Sequence, residues 1–563
     1  MLRTEIETIF NSALTSLGIH NETVALTHPT DLSHGDYATN IALRLANKLK
    51  TSPMLLAEKI AKAIPKNELI DRVEVFKPGF INIHLSPLQL FKQLKQSSAK
   101  DFDLKKAFKV KKNHILLEFG QPNTHKTPHI GHLFSYTFGE SLARLTETVG
   151  NNVTRINYQG DIGLHVAKCL YGMKGEDWEK HQNETGEERV NILQKSYQLG
   201  ATAYEEKPEA KEAIDKINNQ LYIGDDASLD KLWKATRQWS LDFYESFEKV
   251  LGIKYDKYYF ETETATKGKN IIAEALEKKG EDFVLSDGAT IFKGENFGLH
   301  TRVFLTSKGN PTYEAKDIGL IKLKSEDFAD FTESIVLTAV EQSEYWKVVL
   351  KATSVLFPDI ATKSKHIGFG MINLPSGKMS SRTGQIIDAF SLVSRIEDEI
   401  RKQYNMTEED TVKKIALAAI KYSFLKSDAQ HNKTFDIETS VAKEGNSGPY
   451  LLYSFVRASS ILRDRTLSDV SGVEMLEPEE NQLLRLLVRY PEVVEQAAQR
   501  YSPSDIATFL YSIAQAFNLF YQKHSVLKAE GQSRAFRLQL TASTANILQS
   551  GLNLLGIQTV EKM

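Results

Sequence analysis

The stretch Glu118-Phe-Gly-Gln-Pro-Asn-Thr-His-Lys-Thr-Pro-His-Ile-Gly-His-Leu133 decides the fold. It opens on a short apolar run, His114 to Phe119, that predicts a strand. Beyond it Phe134, Phe138, Leu142 and Leu145 fall on one helical face that stops at Gly150. Val153 to Tyr158 then predicts a second strand. Strand, glycine-containing loop, helix, strand is a βαβ unit, the mark of a parallel α/β sheet with ligands at the strand carboxyl ends.

The same stretch carries chemistry. It sets His129, Gly131 and His132 where the strand gives way to a helix N-terminus, and free N–H groups with the positive dipole end favour a phosphate there. Two histidines can donate to phosphate oxygens, and Gly131 leaves room for a base or ribose. His125, His129 and His132 also raise a metal cluster, but no carboxylate follows at zinc-site spacing, so no metal is expected.

A second segment, Gly377-Lys378-Met379-Ser380-Ser381-Arg382-Thr383-Gly384, sets two cations and three hydroxyls between glycines. That composition suits a polyphosphate grip. With Met379 at the Ser/Thr position and no upstream glycine, it is not a Walker A loop.

Working outward, 563 residues exceed what one hydrophobic core serves, so two to four domains are expected. The apolar share of 41% and charged share of 25% exclude disorder and collagen. A lone Cys169 excludes disulfide scaffolds and Cys-rich zinc sites, and points to a reducing, cytoplasmic setting. No run reaches the roughly 18 apolar residues of a membrane span. The opening Met1-Leu-Arg-Thr-Glu-Ile-Glu lacks the pattern of a signal peptide. A net charge of −2 leaves nucleic-acid binding to local patches.

Three units follow. Residues 1–110 read as a compact α+β domain, with helices through Ile6–Leu17 and Ala38–Lys48 and strands Asp71–Phe76 and Phe80–Leu85. Residues 111–407 read as the α/β domain, interrupted near 171–250 by a charged, helical insertion. Its strands resume at Phe283–Leu285, Thr290–Lys293, Arg302–Thr306 and Ser334–Val340. Residues 408–563 read as an all-α bundle.

Together the two phosphate segments resemble the paired His-Ile-Gly-His and Lys-Met-Ser-Lys-Ser elements of class I aminoacyl-tRNA synthetases, in the right order along the chain. Glu118–Asn123, Pro311-Thr-Tyr-Glu-Ala-Lys-Asp-Ile318, His366-Ile-Gly-Phe-Gly-Met371 and Gly445-Asn-Ser-Gly-Pro-Tyr-Leu-Leu-Tyr453 narrow the likeness to the arginyl-tRNA synthetase family. So do His34-Gly-Asp-Tyr-Ala-Thr-Asn40, Pro78-Gly-Phe-Ile-Asn82 and the ending from Gly551.

The resemblance implies a Rossmann-type catalytic domain with a parallel sheet, an N-terminal domain on the tRNA elbow, and a helical anticodon-binding domain. It implies ATP-dependent activation of L-arginine to arginyl-adenylate, then transfer to the 3′-terminal ribose of tRNA(Arg), by a monomer. His129, Gly131, His132, Lys378, Met379, Ser380, Ser381 and Arg382 would bind ATP with its Mg²⁺. Glu118, Tyr313 and Asp317 would surround the guanidinium, with Asn123 and Gln342 on the amino and carboxylate groups. Tyr450, Tyr453, Arg457, Arg463 and Tyr521 would meet the anticodon, and Phe80 and Asn82 the elbow. Residues 441–563 hold 12 basic and 12 acidic residues, so unstacked bases must find aromatics and single cations there, not a general basic field.

Ser381 and Arg382 depart from the loop pattern, so a phosphate-gripping cation is displaced. Lys126, three residues before His129, is the expected replacement. Two rivals share part of these features: another class I nucleotidyl transferase, and an inactive RNA-binding paralogue. The first, as a cysteine-selecting enzyme, would need zinc thiolates that a chain with a lone Cys169 lacks; the second would have lost His129, His132 or Lys378.

Overall fold

The computed structural model describes every residue except 176, 279, 376–387 and 471–474. In the N-terminal unit, β1 (Tyr37–Thr39), β2 (Ile70–Phe76) and β3 (Phe80–Leu85) form an antiparallel sheet in the order β1-β3-β2. The helix expected from Ala38 is shorter, Ile41–Ala46, because Tyr37–Thr39 pairs with Ile81–Ile83. That pairing is non-local and overrides the local periodicity.

The central sheet is parallel throughout. It contains β4 (His114–Glu118), β5 (Asn152–Gln159), β6 (Lys257–Phe260), β10 (Glu333–Ala339) and β11 (Ser364–Phe369), ordered β11-β10-β4-β5-β6. The intervening β7 (Phe283–Ser286), β8 (Ala289–Phe292) and β9 (Arg302–Leu305) form a separate antiparallel sheet around Phe283, Phe292 and Phe304. The order reverses direction at β4 and β10, and a crevice opens outside their carboxyl ends.

The insertion is a stack of helices, chiefly Gly186–Glu206, Pro208–Ile223 and Ala227–Leu251. Reciprocal glycines set one of its crossings: a Cβ on Gly172 would lie 2.0 Å from the Ser196 carbonyl, and one on Gly200 1.8 Å from that of Lys168. Beyond residue 408 the described chain is almost wholly helical, from Glu409–Leu425 to Gly531–Leu554.

The three units share one apolar core, with Phe134 against Phe424 and Phe91 against Phe536 at 5.6 and 5.5 Å between ring centroids. Polar ties reinforce it. The Asp36 carboxylate accepts from Arg485, and the Tyr37 hydroxyl donates to buried Glu492.

Candidate active site

The helix Ile130–Thr148 begins at His129, its N-cap, in extended conformation. His129 Nδ1 accepts the Gly131 N–H at 3.1 Å, and His132 Nδ1 accepts the His129 N–H at 3.1 Å. With Nδ1 occupied as an acceptor in both neutral rings, each proton sits on Nε2, leaving two Nε2–H donors at the helix start. Surrounding protein, and then Lys126, push the His129 pKa down to about 4. Burial, His129 and Lys126 hold His132 well below the usual histidine range. The ring centroids lie 3.9 Å apart, and a Cβ on Gly131 would come within 2.9 Å of the His129 ring.

His125 is not part of this group. It is fully buried, with its ring nitrogens on Thr124 and Thr236, and burial pushes its pKa down to about 3.

A cleft of about 420 Å³ is lined by five residues predicted from the sequence: Asn123, His129, Gly131, His132 and Gln342. Thr338 and Ala339 from the end of β10 and Phe369 from the end of β11 complete its walls. Lys378, Met379, Ser380, Ser381 and Arg382 lie outside the described residues. The chain before them lines the cleft at Ile372 and Asn373; the chain after them returns with Asp388 bridged to His129 and Ala389 N–H donating to the Pro128 carbonyl.

Glu118, Tyr313 and Asp317 are not among the lining residues of that cleft. Glu118, 1% exposed, is satisfied from within the protein: Oε2 accepts from Lys324 Nζ at 2.8 Å and Oε1 from Gln121 Nε2 at 2.7 Å. Neither of the nearby cations in the sequence pairs with it. Arg155 bonds Glu140 and Glu147, and Lys126 lies over the Tyr197 ring at 4.4 Å.

Tyr313 and Asp317 sit one turn apart on the helix Tyr313–Asp327, as their spacing predicts. Tyr313 is 64% exposed. Asp317 Oδ2 accepts from the Tyr345 hydroxyl at 2.5 Å, and among the described residues no cation stands within ion-pair distance of it. Burial pushes its pKa up to about 8; the Tyr345 hydrogen bond opposes that rise, and Glu118 and Glu261 add to it. Beside it Lys316 and Glu261 form a buried pair at 2.7 Å. This helix crosses Glu261–Glu277 at reciprocal glycines, so a Cβ on Gly319 would meet the Thr264 carbonyl at 2.3 Å.

The residues that hold the 123–127 loop were not foreseen. Beside the Gly160 carbonyl, which accepts the Thr124 N–H at 2.9 Å, they come from the insertion. The Tyr244 hydroxyl lies 2.5 Å from the carbonyl oxygens of both Asn123 and Lys126. Ser240 Oγ accepts the His125 N–H at 2.9 Å, and Gln194 Oε1 accepts the Thr127 N–H at 3.1 Å. Neither the identities nor the spacing of these residues marks them in the sequence.

On the helical bundle, Tyr453 and Tyr521 are exposed, and the Arg457 guanidinium lies between their rings at 4.6 and 5.3 Å. Arg457 also donates to Asn518 at 2.6 Å. Tyr450 is half-buried, its hydroxyl accepting from Asn518, and Arg463 is exposed at the helix end. In the N-terminal sheet Phe80 is exposed opposite Phe76, whereas Asn82, on the same face of β3, is 4% exposed at its base. The surface there is therefore aromatic, with Asn82 beneath it.

The chain is similar to known proteins along its whole length. Residues 4–85 match the arginyl tRNA synthetase N terminal domain, 93–437 the tRNA synthetases class I (R) catalytic domain, and 451–563 the DALR anticodon binding domain. An arginine–tRNA ligase of Treponema denticola is 30% identical, covering 96% of this chain and 95% of its own. One of Flavobacterium psychrophilum is 29% identical, covering 92% and 90%. The solved Thermus thermophilus arginyl-tRNA synthetase has the same fold, with a TM-score of 0.82 at 22% identity over 100% of both chains. The Plasmodium falciparum arginyl-tRNA synthetase follows at 0.80 and 20%, covering 100% and 99%.

Proposed function

Because the chain belongs to the class I arginyl-tRNA synthetase family, we propose that the cleft at the ends of β4, β10 and β11 is where it joins L-arginine to ATP. The chain is an arginine–tRNA ligase. It forms arginyl-adenylate from arginine and ATP and passes the arginyl group to tRNA(Arg), which the DALR domain binds. In the first step an arginine carboxylate oxygen attacks the α-phosphorus, and the bond to the bridging oxygen breaks to release pyrophosphate. In the second, the ribose hydroxyl attacks the carbonyl carbon and AMP leaves. The substrates supply both nucleophiles, so the protein's task is positioning and charge stabilisation.

In this reading His129 and His132 give Nε2–H donors to the phosphates, with Gly131 and the helix dipole beside them. Asn123 and Gln342 hold the amino and carboxylate groups. Asp317 takes the guanidinium under Tyr313, while Glu118 stands behind with its charge met by Lys324. Lys378, with Met379, Ser380, Ser381 and Arg382, would meet the leaving pyrophosphate, which ATP brings in with Mg²⁺. Lys126 supplies the cation missing at Ser381. Unstacked anticodon bases lie on the Tyr453–Arg457–Tyr521 group, with Tyr450 and Arg463 beside it, and the elbow base on Phe80 over Asn82.

The proposed units are 1–110 for the elbow, 111–407 for catalysis and 408–563 for the anticodon, in a cytoplasmic monomer. The observation that carries the reading of the site is that one cleft gathers Asn123, His129 and His132 with Gln342, from two segments far apart in the chain. The test is pyrophosphate exchange into ATP with each of the twenty amino acids, with and without tRNA. Exchange with arginine alone among them, in the presence of tRNA, is expected. Exchange with a different amino acid overturns the reading.

A further inference from the structure

Tyr345 stands three residues after Gln342, in the first turn of the helix Ser343–Leu356. Its hydroxyl is 2.5 Å from Asp317 Oδ2, and no other side-chain donor reaches that carboxylate among the described residues. The ring is itself held. The Arg302 guanidinium lies 5.3 Å from its centroid, and Arg302 Nη1 donates to Glu314 at 3.1 Å, on the helix that carries Asp317. Three elements, β9 and the two helices, therefore fix one phenol against one carboxylate.

A carboxylate turns easily about its last torsion. For a point-charge ammonium that rotation costs little. A planar guanidinium binds best when both carboxylate oxygens lie in its plane, because two parallel N–H···O bonds form only then. A single short donor on Oδ2 biases the plane and leaves Oδ1 and the second lone pair of Oδ2 open to the guanidinium. We propose that Tyr345 is a positioning residue that orients Asp317 for the arginine guanidinium and thereby sets the preference for arginine over lysine. The proposal rests on the reading above that Asp317 receives the guanidinium.

Asp317 must be ionised to take a guanidinium. The charged and titratable groups around it are Glu118 from β4, Tyr158 from β5, Glu261 from the neighbouring helix, Tyr313 and Lys324 from its own helix, and Tyr345. The acids and burial raise its pKa; Tyr345 and Lys324 lower it. Removing the phenol hydroxyl therefore moves the ionisation of Asp317 to higher pH, a change that general loosening of the fold would not produce.

The experiment compares Tyr345→Phe and Asp317→Asn in the full chain, measuring KM for arginine and for ATP, kcat, and lysine misactivation from pH 6.5 to 9.5. For Tyr345→Phe the arginine KM should rise about tenfold at pH 7.5 with the ATP KM within twofold. The pH limb of arginine binding should move upward by about one unit, and the arginine-to-lysine ratio should fall by about tenfold. An unchanged arginine KM, or arginine and ATP KM rising together with an unmoved pH limb, overturns the role of Tyr345. If Asp317→Asn itself leaves the arginine KM unchanged, the guanidinium site lies elsewhere, and both statements fall. If Asp317→Asn raises it while Tyr345→Phe does not, only the Tyr345 proposal fails.

Discussion

The hydroxyl of Tyr244 sits 2.5 Å from the backbone carbonyl oxygen of Lys126, tying the insertion to the loop that enters the cleft. The same hydroxyl is equally close to the Asn123 carbonyl, so a single phenol spans the turn from Asn123 to Lys126. Tyr244 is itself buried, which leaves those carbonyls few other donors.

Tyr244→Phe should therefore act on rate more than on folding. One hydrogen bond is worth about 0.5–1.5 kcal/mol of stability. Misplacing Asn123 and Lys126 should slow arginine activation by roughly ten- to a hundredfold, because reacting groups must be held within a fraction of an ångström. Single-turnover adenylate formation beside urea unfolding checks both numbers. A variant that loses stability but keeps its rate would leave Tyr244 with no part in positioning the loop.

His132→Ala removes one Nε2–H donor and the acceptor for the His129 N–H. Loss of an oriented donor to a charged transition state predicts a fall of about 10²–10³ in the activation rate. Losing the cap adds about 1 kcal/mol of destabilisation. Pyrophosphate exchange measures the first effect and thermal unfolding the second. A rate within threefold of the parent would exclude His132 from the phosphate site.

Buried His125 sets an acid limit on stability. Its pKa is about 3 in the folded chain, against about 6.5 when exposed. Below pH 6.5 the unfolded chain takes up a proton that the folded chain refuses, so stability is intact above 6.5 and lost as pH falls. At pH 5 the loss from this residue is on the order of 2 kcal/mol. Denaturant unfolding at pH 7.5 and pH 5, on the parent and on His125→Gln, should show a smaller pH difference in the variant. Equal differences would assign the acid sensitivity to other groups.

The βαβ unit was legible because its signals are local: an apolar strand, a helix face through Phe134 and Leu145, and a glycine stop. The neighbours that complete the site were not. The four-residue strand Lys257–Phe260 carries no period of its own and is held by pairing with Ile156–Gln159, a hundred positions earlier in the chain. Glu118 could be singled out as an acid of the cleft, but its partner Lys324 lies 206 residues away, and charge patterns along a chain do not reveal such pairs. Ala38 reads as helical beside Leu43 and Leu45, yet its backbone finds better partners in Asn82 and Thr27. Tyr345 and Tyr244 look like ordinary helix aromatics; only their hydroxyl contacts distinguish them.

Two buried lysines on the helix Tyr313–Asp327, Lys316 and Lys324, have a consequence for what the pocket can accept. Lys324 cancels Glu118 and Lys316 cancels Glu261, so among the described residues Asp317 is the one of three clustered acids without a counterion. The pocket thus has a valence of one. A single positive charge pairs with the ionised Asp317, whereas an uncharged isostere of arginine such as citrulline forgoes that charge-assisted pair and meets a carboxyl that its surroundings keep largely protonated, which disfavours it. Lysine also carries one charge and passes this count. Valence therefore admits both cations, and the choice between them falls to the shape of the acceptor.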